Sequence, residues 1–423
     1  MFHKTTLKNG LRIITSPQEG TQALTILVLV GTGSKYEKKE INGISHFLEH
    51  MYFKGTKKRP SALLISETLD RVGGIYNAFT GEECTGYFAK TEASHFELAM
   101  DWVSDIFLNS TLPPKEIEKE KKVIWEEINM RQDHPMEYVQ VLWSKLLYGD
   151  QPAGWDTAGT KESVEGISRK KLTNYLKTQY VASNTIVSVA GKIDSSFCIE
   201  KIKEYFSKIK LGSPLSKPKV IERQDCPEVF LQTKQTDQAH LCLGVRGYNI
   251  FHPQRYAVEL LAVILGGMMS SRLFTEVREK LGLAYYIRTE ANLDPDAGYL
   301  VTQAGVDNKR VERAIVTIVK EYKKIARKKV SQSDLKKAKD NTKGRMALLL
   351  ESSDAQASFC AIQELLEKKV LTREEIFSEI DKVRDSDILK VARDIFRPEN
   401  LNLAMIGPFK DKNKFKELLK KSI

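Results

Sequence analysis

The sequence predicts an α+β protein of two homologous domains, each a mainly antiparallel sheet with helices packed on one side. Three observations carry that prediction. The chain has 423 residues, 41% of them hydrophobic, enough for two or three domains with sizeable cores. The stretch Leu211-Gly212-Ser213-Pro214-Leu215-Ser216-Lys217-Pro218 has two prolines, small residues and no periodicity, which reads as a linker. After it the order of elements starts again. Sliding the second half back until Gln238-Ala239 lies on Gln22-Ala23 also lays Gly247 on Gly31, Asn400 on Asn184 and Gly407 on Gly191. One ungapped register holding at both ends of each half indicates a duplication. The expected division is residues 1–211, a linker 212–224, and residues 225–423.

Taken in order, Gly10 to Thr15 alternates and meets a turn at Gln18 to Gly20, a strand signature. Ala23 to Val30 is a β-branched apolar run of strand length, followed by the loop Gly31 to Ser34. An apolar helical stretch surrounds Ser45-His46-Phe47-Leu48-Glu49-His50-Met51. After a Lys/Gly/Pro break comes a helix over about Ser61 to Val72, ended by Gly73-Gly74. Ile75 to Thr80 and Thr85 to Ala89 read as strands around Gly81-Glu82. Helices are expected over Ser94 to Leu108, Pro114 to about Arg131, Met136 to Leu147 and Ser168 to Tyr180. Ile186 to Ala190 is a strand, and its copy is Asn402 to Ile406.

The chemistry concentrates in His46-Phe47-Leu48-Glu49-His50. At about 3.6 residues per turn, His46 and His50 stand one above the other and Glu49 shares their face. This is the inverted zincin pattern, in which two imidazoles grip zinc and the carboxylate takes a proton from water. In the register of the duplication His46 falls on Ala262, Glu49 on Leu265 and His50 on Gly266. The duplicate keeps the apolar face and has no ligands, so the fold itself does not require them. A catalytic zinc usually takes three protein ligands. The helix from Pro114 offers five glutamates and an apolar stripe of Ile117, Ile124 and Ile128. At about 100° per residue, Glu127 lies about 60° from Ile124, at the edge of the buried face, and Glu120 takes the matching place beside Ile117. Glu126 points away. Glu127 is therefore the expected third ligand, with Glu120 placed to orient a histidine.

The remaining composition narrows the function classes. The net charge of +11 is spread over helices where lysines alternate with acids, as in Lys115 to Lys122 and Lys323 to Lys339. No base-reading module accompanies it, so no nucleic-acid partner is expected. The longest apolar run is far shorter than the roughly 18 residues of a membrane span, and no membrane partner is expected. The amino terminus shows neither a signal-peptide core nor a transit-peptide helix, which makes the cytoplasm the expected location. Five scattered cysteines form no CxxC pair and read as reduced thiols.

The compound pattern resembles the pitrilysin (M16) family of zinc metallopeptidases, in the short branch with mitochondrial processing peptidase and bacterial relatives (M16B). In that family a ligand glutamate follows the second histidine at a characteristic long interval, and the interval from His50 to Glu127 matches it. The family's accessory glutamate, earlier on the same helix, matches Glu120. The resemblance spans essentially the whole chain and implies a pitrilysin/LuxS-like metallohydrolase fold and one Zn2+ per chain. It also implies endopeptidase action on peptides or unstructured segments inside a closed chamber. The segment Gly73 to Phe88 resembles the family's edge strand, which implies that Asn77, Ala78 and Phe79 meet a peptide adding as an extra strand. Ser270 to Tyr285 resembles the segment carrying an Arg and a Tyr, here Arg278 and Tyr285, which stabilise the oxyanion in relatives. Larger members enclose substrate with four domains, so the resemblance implies a homodimer, with Arg278 and Tyr285 supplied across it. The alternative within the family is an inactive member serving as scaffold or binding subunit, and such members lose the ligands that this chain keeps.

Overall fold

The computed structural model describes residues 2–421. They form two compact units: the chain up to Asn129 with Trp155–Pro218 and Ala347–Thr372, and Met130–Gly154 with Lys219–Met346 and the chain from Arg373. The main passage between units falls at Pro218, inside the expected linker. The contiguous domains 1–211 and 225–423, however, are not the compact units, because each half lends the other a segment.

The first unit holds a six-stranded sheet of β1 (His3–Thr6), β2 (Arg12–Pro17), β3 (Ala23–Val30), β4 (Ile75–Thr80), β5 (Thr85–Glu92) and β6 (Thr185–Gly191) in the order β1-β2-β6-β3-β5-β4. Only β2 and β6 run parallel. Central β3 is buried on both faces. Leu24, Ile26, Val28 and Val30 join a core beneath the motif helix, while Leu27 and Leu29 join a core beneath helix Ser353–Glu367. A strand covered on both faces takes apolar residues at nearly every position, hence a hydrophobic run that Thr25 alone interrupts.

The second unit repeats this plan without β1. Its strands are β7 (Glu228–Thr233), β8 (Gln238–Arg246), β9 (Ala284–Leu293), β10 (Gly298–Asp307) and β11 (Asn402–Gly407), in the order β7-β11-β8-β10-β9. Again one pair, β7 with β11, is parallel. The register of the duplication lays Arg12–Pro17 on Glu228–Thr233 without an offset. The α+β class and the duplication are thus both present in the backbone.

Beyond the helices on one side, a single helix covers the other face of each sheet, and these two helices are exchanged. Helix Pro135–Tyr148, from the first half of the sequence, packs Val139, Leu142, Trp143 and Leu147 on Cys242, Val301, Ala404 and Ile406 of the second sheet. Helix Ser353–Glu367, from the second half, covers β2, β3 and β6 of the first. The two are counterparts in the duplication. Local pattern marks each as amphipathic and is silent on which sheet its apolar face meets. Three buried contacts decide the second case: Thr25 Oγ1 lies 2.8 Å from Ser353 Oγ, Ser188 Oγ donates to the Ala357 carbonyl at 2.9 Å, and Ser16 Oγ meets Cys360 Sγ at 3.4 Å.

All five cysteines are free thiols, with Cys198, Cys242 and Cys360 buried. Among the described residues no helix is long and apolar enough to cross a membrane.

A carboxylate seals the end of the exchanged helix. Glu364, 2% exposed, meets Lys4 Nζ at 2.7 Å and the buried Arg12 guanidinium at 3.5 Å. Burial lowers the Arg12 pKa against the opposing pull of Glu364. Glu364→Ala strands that cation, and breaking a buried pair on one side costs about 3 kcal/mol or more. The expected outcome is a lower denaturant midpoint for the first unit, with Glu364→Gln falling between the variant and the wild type in urea titrations.

Candidate metal centre

The motif helix runs Ile44–Met51. Its start depends on Gly43, whose φ of +92° is left-handed and whose absent Cβ would sit 2.6 Å from the Ala158 carbonyl oxygen, so only glycine fits. Glu37 caps the helix. Its carboxylate accepts from the Gly43 N–H at 2.7 Å, the Ser45 N–H at 2.8 Å and Asn42 Nδ2 at 3.0 Å. Negative charge belongs at that end of a helix, although full burial still pushes Glu37 up to about 7 against the bonds from Ser45 and Gly43. Ile44, Phe47, Leu48 and Met51 enter the core. That anchoring leaves His46, Glu49 and His50 together on the opposite edge, half-buried.

The second wall is helix Pro114–Asp133, held by buried Ile117, Ile124 and Ile128. It carries Glu120, 3% exposed, and Glu127, whose side chain is 35% exposed. Glu126 is exposed, as its position on the helix predicts.

His46, His50 and Glu127 converge into one donor set. His46 Nε2 lies 3.2 Å from His50 Nε2 and 3.5 Å from Glu127 Oε2, and His50 Nε2 lies 3.4 Å from the same oxygen. Four ligands placed tetrahedrally at zinc bond lengths of about 2.0–2.1 Å stand about 3.4 Å from one another. The three separations match one face of that tetrahedron, and two imidazoles with one carboxylate are a donor set zinc accepts in hydrolases. These residues fit the ion that the sequence implies.

The surrounding groups prepare the donors. His50 Nδ1 lies 2.9 Å from Glu120 Oε1; a carboxylate only accepts, so Nδ1 carries a hydrogen and Nε2 is the nitrogen left for a metal. Lys54 Nζ holds the other Glu120 oxygen at 2.8 Å. Burial alone would raise Glu120, but its bonds to His50 and Lys54 prevail and its pKa is lowered. His50 is also opposed by burial, and its bonds to Glu120 and Glu127 carry it to about 9 in the metal-free protein. Glu127 is lowered, first by its bond to His50.

Glu49 stands apart from the donor triangle. Burial raises its pKa, with partial relief from a bond donated by Thr80 Oγ1 at 2.6 Å and from the nearby His50. A half-buried carboxylate beside these donors, its charged form disfavoured by burial, is suited to exchange protons. Thr80 ends β4, which lies at the edge of the sheet and pairs only with β5. On β4, Asn77 is exposed and uses its Oδ1 to accept from the Ala78 N–H at 2.9 Å, Ala78 is buried and Phe79 is half-buried.

Arg278 and Tyr285 belong to the second unit. Arg278 lies in a short π-helical segment, Phe274–Lys280, its guanidinium 4.7 Å from the Phe274 ring centre. Tyr285 is on β9 with its side chain 75% exposed. Three further participants in the first unit were not singled out by sequence reasoning: Glu37, Lys54 and Thr80. Lys54 had only a weak signal, standing four residues after His50 but beyond the helix end at Met51. Glu37 and Thr80 had none, since both reach the site from other segments of chain.

Residues 12–161 match the model of the insulinase peptidase family M16, and residues 166–342 match that of the M16 peptidase inactive domain. An uncharacterised zinc protease, YmxG of Bacillus subtilis, is 37% identical over 411 residues, covering 96% of this chain and 98% of its own. A protease from Helicobacter pylori superposes with a TM-score of 0.89 at 25% identity, covering 96% of this chain and 99% of that one. The structure of a peptidase M16 inactive domain from Pseudomonas fluorescens also reaches 0.89 over 97% of this chain and 99% of that one; at 15% identity this is a likeness of fold.

Two outcomes follow from the donor set and its supports. Glu120→Gln should weaken zinc binding by about 10- to 100-fold, measured by competition with a chromophoric chelator. In metal-free protein His50 is raised from 6.5 to about 9. The folded state therefore keeps a proton that the unfolded chain has released, and the stability this gives is complete below pH 6.5 and lost as pH rises through about 9. The melting temperature of chelator-treated protein should fall across that window, and the fall should shrink in His50→Asn.

Proposed function

This chain belongs to peptidase family M16, and we propose that it is a zinc-dependent endopeptidase, of the inverted zincin kind, that hydrolyses peptides or unstructured protein segments. The observation that carries the reading is the donor triangle of His46, His50 and Glu127 at tetrahedral separations, with the carboxylate of Glu49 beside it and outside it. Three donors leave a tetrahedral ion open to water and substrate.

Bound zinc supplies a Lewis acid for the amide carbonyl and makes water a stronger acid. The chain's own residues do the rest. His50, oriented by Glu120, and His46 and Glu127 hold the ion. Glu49 accepts the proton of the attacking water and passes it to the leaving amine, a two-way duty that suits a carboxylate raised by burial. The free edge of β4, at Asn77, Ala78 and Phe79, offers main-chain groups to an extended peptide, recognition that makes little demand on sequence. Arg278 and Tyr285 are the proposed oxyanion donors: a guanidinium and a phenol, the latter well exposed on β9.

The proposal extends to a homodimer whose two copies enclose the substrate in a chamber, processing-peptidase fashion, with Arg278 and Tyr285 of one copy serving the zinc of the other. The cytoplasm is its proposed location.

Cleavage of fluorescence-quenched peptides tests the reading. Turnover should vanish with a chelator and return with zinc. Glu49→Gln should lose about 100- to 10,000-fold in kcat while keeping its zinc, measured by metal analysis; activity retained in that variant would overturn the assignment of the base. Tyr285→Phe should lower kcat by about 100-fold.

A further inference from the structure

The base of the proposed reaction is held by an element outside its own helix. Glu49 stands on the motif helix, and Thr80, which donates to its Oε2 at 2.6 Å, is the last residue of β4. Thr80 sits at a constrained point. It faces Thr85 across the hairpin, whose turn is closed by the Gly81 N–H bonding the Cys84 carbonyl at 2.8 Å. A β-branched side chain in such a strand has few χ1 rotamers, so the hydroxyl is delivered in one direction.

Nothing in the packing calls for that hydroxyl. Thr80 is half-buried rather than sealed in the core, and a half-exposed strand position takes valine as readily as threonine. A hydroxyl there that makes a short bond to a carboxylate has a use other than stability. The carboxylate needs one. Glu49 shares a helical face with the proposed ligands His46 and His50, and a glutamate that joined them on the ion would no longer be a base.

We propose that Thr80 is a positioning residue that engages Glu49 Oε2 and leaves Oε1 to take the proton of the attacking water. The inference rests on the endopeptidase reading and on Glu49 as its base. It adds a coupling between recognition and chemistry. The strand whose free edge is the proposed seat of the substrate backbone also holds the proposed base.

The test compares wild type, Thr80→Val, Thr80→Ser and Glu49→Gln in the zinc-loaded protein, with fluorescence-quenched casein as substrate. Thr80→Val keeps shape and β-branching and removes only the donor. Its kcat should fall by about 10- to 100-fold, with KM within about two-fold and zinc affinity and melting temperature unchanged. Thr80→Ser should restore most of the loss. A Thr80→Val enzyme with wild-type kcat overturns the inference. So does a loss that serine does not recover, or one accompanied by weaker zinc binding, since either would mark a packing role. Turnover abolished in Glu49→Gln but intact in Thr80→Val overturns the Thr80 inference alone, whereas turnover intact in Glu49→Gln overturns the reading beneath it.

Discussion

Two helices must hold three donor atoms about 3.4 Å apart, and the rest of the first unit is arranged to satisfy that constraint. Neither helix has freedom to drift. The motif helix is pinned by Ile44, Phe47, Leu48 and Met51 on its inner face and by Glu37 at its amino end. Helix Pro114–Asp133 is pinned by its isoleucine stripe. Because interiors are packed like organic solids, such anchoring transmits directly to the outer edges of the helices, where the donors stand.

The same helices carry an electrostatic gradient. Three carboxylates lie near the two histidines, and the environment sends them in opposite directions. Glu120 and Glu127 are lowered by their bonds to His50 and, for Glu120, to Lys54. Glu49 is raised by burial. Groups that stay ionised hold a cation and orient its ligands; one whose charged form is disfavoured by burial is suited to trade a proton. In the proposed reaction the division of labour between Glu127 and Glu49 comes from surroundings and not from residue type.

Much of the centre was legible in the chain because its information is periodic. His46, Glu49 and His50 share a face by helical spacing, and Glu127 was chosen among five glutamates by its angle to Ile124. The duplication helped further, since Ala262 and Gly266 show the same helix without ligands. Glu37 and Thr80 were not legible. Each acts on the motif helix from a different element, and no period in the sequence links a strand end or a loop carboxylate to a side chain reached only through the fold.

The sequence by itself determined the two-copy α+β plan, the zinc-binding pattern and the face of each helix that bears it, because strand and helix periods are local properties of side-chain order. Only the tertiary structure decided which helix covers which sheet. Helices Pro135–Tyr148 and Ser353–Glu367 have the same amphipathic pattern, and either sheet offers an apolar face, so hydrophobicity alone cannot choose. The choice is made by shape and by specific polar contacts, such as Thr25 with Ser353 and Arg12 with Glu364. Those partners stand near opposite ends of the chain, and they meet only once it has folded.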